Sequence, residues 1–484
     1  MESFLLLLLG LGLIGAFYYT ARGSKPAAAP ASKTETLPMQ ETAELPLGER
    51  REIPESVHQI PRHALDDNAM RVVYRLLDAG YEGYLVGGCV RDLLAGKEPK
   101  DFDVATSATP EQAEPLFNRA RLIGRRFKLL HVRFGREVIE VATFRAGHDT
   151  DQNSGEHGRQ AASGIILRDN VYGSIEDDAL RRDFSINALY YNVSDHSILD
   201  FANGYPDLIA KRIRIIGDPN ERYREDPVRM LRAARFAAKL GFEIEEKTAA
   251  PIHSLAPMIG KVAPARMFDE VLKLLQTGHG VATLRQLIRF DMFKYLLPGT
   301  DRMLASDKYQ VEALVNNALR NTDRRLAQGK NVNPAFLFAA MLWYPLVERM
   351  EKLAKQSDLP PLQRLHEAAN QVLAEQIKAT AIPRRFSTMI REIWELQHRL
   401  PRKDRAEQIM ENPRFRAGYD LLVLREESGE DLGGLGSWWT EYQRGVKPAP
   451  QQRQEPREER QDDRKRAPRR RRRRSSAPRQ DSNH

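Results

Sequence analysis

Two aspartates one residue apart, Asp101 and Asp103, stand in the run Lys100-Asp101-Phe102-Asp103-Val104. In an extended strand residues i and i+2 point to one face, so the spacing predicts that the two carboxylates converge while Phe102 and Val104 turn inward. Carboxylates held that close repel unless a cation stands between them, and Mg2+ takes one or two carboxylates with substrate phosphates as further ligands. The pair reads as a metal platform; the plainer reading is a surface strand with two unrelated acids. Thirteen residues before Asp101 lies the second glycine of Leu85-Val86-Gly87-Gly88-Cys89-Val90-Arg91-Asp92, a strand running into a turn and then a helix. Gly87 and Gly88 would let backbone N–H groups approach a polyphosphate, with the helix N-terminus and Arg91 adding positive potential. Taken alone, the same segment serves equally well as a tight turn between two core elements.

Two further segments carry chemistry. In Arg181-Arg182-Asp183-Phe184-Ser185-Ile186-Asn187-Ala188-Leu189, a helical reading puts Asp183 and Asn187 one turn apart on a shared face, with Phe184, Ile186 and Leu189 packing inward. Asp183 is then the expected third carboxylate of the metal site, Asn187 an amide for a ribose hydroxyl, and Glu140, in the apolar run Val138 to Thr143, the reserve for the third acid. The bland reading makes Asp183 a helix N-cap beside solvated arginines. In Arg224-Glu225-Asp226-Pro227-Val228-Arg229, Pro227 marks a helix start. Asp226 and Arg229 would offer an acceptor and a donor fork to a base edge, or would form only a local ion pair.

The elements that must position these residues follow from periodicity. Residues 82–200 alternate short β-like runs (Tyr84 to Val86, Asp101 to Ala105, Val138 to Phe144) with helical patches, which predicts an α+β domain. Thr109, Pro110 and Gln112 are spaced as a capping box with proline in the first turn. Beyond Asp200 helical periods take over: Phe386, Met389, Ile390, Ile393, Leu396 and Leu400 share a helix face, and Ala335 to Trp343 reads as a buried core helix. The expected domain plan is an apolar segment over 1–22, a flexible linker over 23–56, a head over 57–200, a helical neck over 201–275, a helical body over 276–445 and a disordered tail over 446–484.

Bulk properties bound the number of cores, the compartment and the distribution of charge. At 484 residues, several cores are expected. The single cysteine, Cys89, rules out an internal disulfide framework and fits a reducing compartment. Residues Val446 to His484 hold 14 Lys/Arg against 6 Asp/Glu, which is +8 of the chain's net +9, so the rest is nearly neutral. Arg469, Arg470, Arg471, Arg472, Arg473 and Arg474 form an unbroken run suited to non-specific RNA binding. The apolar run Phe4 to Tyr19 is slightly short for a membrane span and lacks the basic n-region of a signal peptide. It reads either as an anchor or as sequence upstream of the true start. The expected location is the cytoplasm, at the inner face of the membrane if the run is an anchor.

In order along the chain, Gly87-Gly88-x-Val90-Arg91-Asp92, Asp101-x-Asp103, Arg181-Arg182-Asp183 with Asn187-Ala188, and Glu225-Asp226-x-x-Arg229 resemble the motifs of the class II nucleotidyltransferases. This family contains the CCA-adding tRNA nucleotidyltransferases and the bacterial poly(A) polymerases. Leu122 to Lys128, Leu167 to Asn170, Gly173 to Asp178, Asn333 to Phe338 and the Arg-rich end are similar to the second branch. The resemblance implies a polymerase-β-like nucleotidyltransferase head, an all-helical neck that reads the base, and an all-helical body that guides RNA. It further implies template-independent transfer of AMP from ATP to RNA 3′ ends. By that resemblance Asp101 and Asp103 hold two Mg2+ (Mn2+ being a substitute) and Asp183 is the third catalytic acid. Gly87, Gly88, Arg91, Arg182 and Asn187 hold ATP, and Asp226 and Arg229 select adenine. The rival within the family is CCA addition to tRNA, and the rival outside it is an inactive membrane-tethered RNA-binding protein.

Overall fold

The computed structural model describes residues 43–124, 128–146, 158–160, 166–169, 171–306 and 308–445. It divides into two units, one running to Leu432 and one from Gly433 onward. The expected features on Phe4 to Tyr19, Arg125 to Phe127, Asn170 and Arg469 to Arg474 lie outside the described residues.

Twelve strands are described in the first unit: β1 (Arg51–Ile53), β2 (Gly83–Val86), β3 (Asp103–Thr106), β4 (Ala120–Ile123), β5 (Leu129–Phe134), β6 (Glu137–Thr143), β7 (Gly158–Gln160), β8 (Ile166–Asp169), β9 (Leu189–Tyr191), β10 (Ile198–Asp200), β11 (Arg212–Ile213) and β12 (Glu243–Ile244). Eight of them form one mixed sheet in the order β1-β10-β9-β2-β3-β6-β5-β4. Only β3 and β6 run parallel within it. The β2–β3 and β3–β6 pairings place Asp103 opposite both Val86 and Glu140, so register alone brings the glycine turn and two acids to one end of the sheet.

Helix α1 (Asp67–Asp78) covers one face of this sheet. It starts where the Asp66 carboxylate accepts from Ala69 N at 2.7 Å, and its buried stripe Ala69, Val72, Val73 and Leu76 has the period of a one-sided helix. The Thr109 capping box is present in full, with hydroxyl and Gln112 amide satisfying each other's backbone N–H groups. Val104 is fully buried and Phe102 packs against the same core.

Four expectations need correction. The stretch 43–56 is not linker throughout. β1 pairs antiparallel with β10, Ile53 is fully buried, and Asn203 clamps Leu45 through both its backbone N–H and its C=O. A three-residue edge strand with one inward side chain leaves too little periodicity to be noticed. The segment Arg181 to Leu189 is not one helix. α3 (Ile175–Arg181) ends at Arg182, and Ser185–Asn187 is a separate 3-10 turn, because Ser185 N donates to Arg214 O and Ile216 N donates to Asp183 O. Pairing with the 214–216 strand segment outcompetes helical bonding there. Asp101 precedes β3 instead of lying in it. The region after Asp200 also contains β11 and β12, a short parallel pair, and so is not wholly helical.

The remaining helices used below are α4 (Pro219–Glu225), α5 (Val228–Leu240), α6 (Pro264–Leu275), α7 (Gly280–Arg289), α8 (Val311–Ala327), α9 (Pro334–Met341), α10 (Trp343–Gln356), α11 (Pro361–Ala379), α12 (Arg384–Arg399) and α13 (Phe415–Glu427). One apolar core runs through them from Phe184 to Leu424. As expected, α9 is buried on nearly all sides, with Asn333 capping it, and Ile390, Ile393 and Leu396 of α12 face inward. The described part of the second unit holds α14 (Leu435–Gln443), in which Trp438 stacks on Tyr442.

Candidate active site

The turn from β2 into α2 (Gly88–Leu94) depends on Gly87, whose φ of 78° and ψ of −121° are not open to ordinary L-residues. A Cβ there would meet Arg182 Nη1 at 3.4 Å. Gly88 has ordinary backbone angles, and a Cβ would meet only Arg91 Nη2, at 3.7 Å. Its absent side chain matters for access to the turn and not for its conformation.

Beside this turn stand the acids. Asp101 and Asp103 are exposed, and among the described residues no ion pair neutralises either one. Although its side chain reaches solvent, Asp103 stands in dense surroundings. That burial, followed by the charge of Glu140 and, more weakly, of Asp101, pushes its carboxyl up to about 6 against a partial offset from Arg182. Glu140 also has His131 Nε2 3.2 Å from its Oε1. A carboxylate raised by burial and by neighbouring like charge, with no ion pair of its own among the described residues, suits a cation. Among the described residues no three His, Cys, Asp or Glu side chains close into a cage. An ion that draws its other ligands from phosphates requires none, so the residues present fit Mg2+.

Asp183 is held by protein donors. Its Oδ1 accepts from Phe184 N at 2.8 Å and from Asn187 Nδ2 at 3.0 Å, and its Oδ2 accepts from Arg232 Nε at 2.6 Å. Burial would raise its carboxyl, but Arg232, Asn187 and Phe184 N together hold it at about 2. The 3-10 turn has replaced the expected helix, yet Asp183 and Asn187 meet as foreseen. The lone pairs of Asp183 are taken up by protein donors, whereas Glu140 lies directly across from Asp103.

Three guanidiniums surround the Phe236 ring: Arg91, Arg232 and Arg235, at 5.3, 5.4 and 4.7 Å from its centroid. Arg91 is buried, donating to Asp92 Oδ1 and, at 2.6 Å, to Asn187 Oδ1. Arg182 donates to Asp178 Oδ2 at 2.8 Å, to the Tyr190 hydroxyl at 3.0 Å and to Asn187 O at 3.4 Å. Burial pulls Arg182 down, but Tyr190 and Asp178 outweigh it and leave the group raised. Both arginines therefore brace Asn187 and the glycine turn. Asp226 and Arg229 do not pair with each other. Asp226 Oδ2 accepts from Arg266 Nη2 at 2.6 Å, and Arg229 Nη1 donates to Glu225 Oε2 at 2.6 Å. Asp226 is thus engaged by Arg266, and Arg229 by Glu225. Arg232, Arg266, Asp178 and Tyr190 were not assigned from sequence. Arg232 could have been, since it stands one helical step beyond Arg229 on α5.

A last support lies behind the turn that carries Asn187. Ser185 Oγ donates to Asp207 Oδ2 at 2.6 Å, and Asp207 also faces Arg214 at 3.1 Å. A Cβ on Gly204 would stand 2.2 Å from Ser185 O.

Comparison with known proteins bears on this arrangement. The Poly A polymerase head domain family matches residues 83–214, the family described as Probable RNA and SrmB-binding site of polymerase A matches 241–304, and the Polymerase A arginine-rich C-terminus matches 357–476. Poly(A) polymerase I of Salmonella typhimurium is 50% identical over 396 residues, covering 81% of this chain and 85% of that protein. The CCA-adding enzyme of Streptococcus pyogenes is 33% identical over 249 residues, covering 51% and 59%. Among solved structures, Bacillus stearothermophilus CCA-adding enzyme in complex with CTP is similar at a TM-score of 0.52 with 25% identity, covering 78% of this chain and 80% of that one. Thermotoga maritima CCA-adding enzyme complexed with tRNA is similar at a TM-score of 0.53 with 20% identity, covering 82% and 86%.

Proposed function

The chain belongs to the poly(A) polymerase family, and from that premise we propose that it extends RNA 3′ ends with AMP taken from ATP, releasing pyrophosphate. It is an enzyme of the polynucleotide adenylyltransferase class; in sequence, the CCA-adding enzyme of Streptococcus pyogenes matches it over a smaller share of the chain and at lower identity. The observation that carries the reading is the unneutralised pair Asp101 and Asp103 at the mouth of the Gly87 turn, with Glu140 one strand away.

Asp101 and Asp103 would hold two Mg2+, with Glu140 in the place first given to Asp183. The ions, when bound, lower the pKa of the RNA 3′-hydroxyl and offset charge as pyrophosphate leaves the α-phosphate. The chain's own part is positional. Gly87 and Gly88 admit the triphosphate to the backbone. Arg91 and Arg182 hold Asn187 and that turn in place while adding positive potential. Asp183 fixes Arg232 and Asn187. Asp226 with Arg266, and Arg229 with Glu225, present an acceptor and a donor to the base edge, the means of choosing adenine without a template. Arg469 to Arg474 would tether the RNA backbone electrostatically. Processing of RNA 3′ ends is the setting in which such tails promote turnover.

The test is AMP incorporation into a short RNA with Mg2+. Asp101→Ala and Asp103→Ala should each lower it by more than about a hundredfold, since each metal ligand contributes several kcal/mol to the transition state. Retention of a rate near wild type in either variant overturns the metal assignment.

A further inference from the structure

Away from the acids, two neighbouring cavities of about 260 and 360 Å3 open side by side between α8, α9, α12 and α13, sharing Asn321, Arg325, Phe336, Arg416 and Asp420. The floor of the smaller one is apolar, with Phe336, Met389 and Ile393 partly buried against the main core or within it. Its rim carries the amides of Asn321, Asn331 and Asn333. The larger one adds Arg324, Lys330 and Tyr419, with Arg416 5.3 Å above the Tyr419 ring.

The charges are unevenly matched. Arg416 faces Asp420 at 3.0 Å and Arg414 faces Glu392 at 2.7 Å. Arg324, Arg325 and Lys330 are exposed and take part in no ion pair among the described residues; the two arginines donate only to Asn321 and to Asn331 O. The groove therefore combines a positive rim, aromatic rings and an apolar floor about the size of one nucleobase with its sugar. Asn333 caps α9 and Asn321 accepts from Arg324, so the Asn331 amide, with Asp420 beside Arg416, is the group placed to meet a base edge. A cleft that only tracked phosphate would need neither the apolar floor nor Asp420. Base stacking on aromatic rings beside cations that follow the backbone is how single strands are held without a strict sequence.

We propose that this groove is a binding site for single-stranded RNA, holding one or two nucleotides of the substrate upstream of its 3′ end. The proposal rests on the polymerase reading for the identity of the strand. It lies outside residues 241–304, which match the family described as an RNA-binding site, and so adds a separate anchor. It also differs in kind from the arginine-rich tail, because it offers rings and an apolar floor to bases as well as charges to phosphates.

The test uses the full chain and a fluorescent 20-nucleotide oligo(A), with binding measured without ATP and extension measured separately. Arg325→Glu with Lys330→Glu should weaken oligo(A) binding by roughly tenfold and flatten its salt dependence. Asn331→Ala should weaken it less, and an abasic 20-mer should lose most of the difference between wild type and Asn331→Ala while keeping that of the charge reversal. KM for ATP and kcat at saturating RNA should stay level in all of them. All three substitutions sit on exposed residues, and melting curves matching wild type exclude misfolding as the cause. Unchanged RNA affinity in both variants overturns the groove, as does a raised KM for ATP with RNA binding intact, which would mark a mononucleotide site. A wild-type protein that binds oligo(A) but adds no AMP would instead overturn the polymerase reading and leave the groove standing.

Discussion

Asp103→Asn should raise the thermal midpoint of the metal-free protein at pH 7 to 8 and change it little near pH 4. The sign follows from linkage. The folded chain holds the Asp103 proton more tightly than the unfolded one, since its carboxyl moves from 3.8 up to about 6, so the group works against folding increasingly as pH rises through that interval. Removing the charge removes the penalty above about pH 6. Calorimetry with chelator at the two pH values checks this, and a midpoint lowered equally at both would contradict it. Asp183 should behave in the opposite way. Its carboxylate is held low and paired, so Asp183→Asn leaves Arg232 without its partner and should cost about 3 kcal/mol. Glu140→Gln should leave stability within about 0.5 kcal/mol but raise the Mg2+ concentration needed for half-maximal AMP transfer. If Asp183→Asn folds as well as wild type and shifts the Mg2+ requirement instead, Asp183 regains the third-acid role. The types and spacing of these residues were legible because carboxylates one residue apart have few uses. The different surroundings of Asp183 and Glu140 were not, because they depend on the β3–β6 register and on Arg232, which is 49 residues away from Asp183 along the chain.

The glycine turn, the 3-10 turn and α5 act as a frame around the acids, and their fit depends on close backbone approach more than on side chains. Gly204→Ala is the sharpest probe of that frame. A Cβ 2.2 Å from Ser185 O cannot be accommodated without moving the segment that carries Asp183 and Asn187. The expected result is a loss of about 2 kcal/mol in stability together with a raised KM for ATP, read by melting and by steady-state kinetics. An unchanged KM would mean that the turn carrying Asn187 does not support nucleotide binding. At this scale the sequence was readable where one element answers to its own period: α9, α12 and the Thr109 capping box form where expected. It misled where a partner distant in sequence decides the matter. Residues 182–187 look helical by spacing but bond to Arg214 and Ile216, and β1 is recognisable only once β10 lies beside it.

Over the whole molecule, an eight-stranded mixed sheet presents the acids and a helical array extends behind it from the same unit, with the net positive charge concentrated beyond residue 445. No helix among the described residues is long and apolar enough to cross a membrane, and Phe4 to Tyr19 lies outside them. The α+β head followed by helices was legible from the switch of period near Asp200. The basic-aromatic groove between α8, α9, α12 and α13 was not, because its residues come from four segments that become neighbours only on folding. On the proposed reading this frame selects ATP without a template and adds AMP repeatedly to an RNA end. That reading is tested most directly by incubating the purified full chain and a short RNA of arbitrary sequence with Mg2+ and each of the four nucleoside triphosphates in separate reactions. The expected result is a ladder of many added residues with ATP and little or none with CTP, GTP or UTP, and a loss of the ATP preference in Arg229→Ala. Addition limited to two CMP and one AMP on tRNA lacking its CCA end, with no ladder on the short RNA, would contradict it.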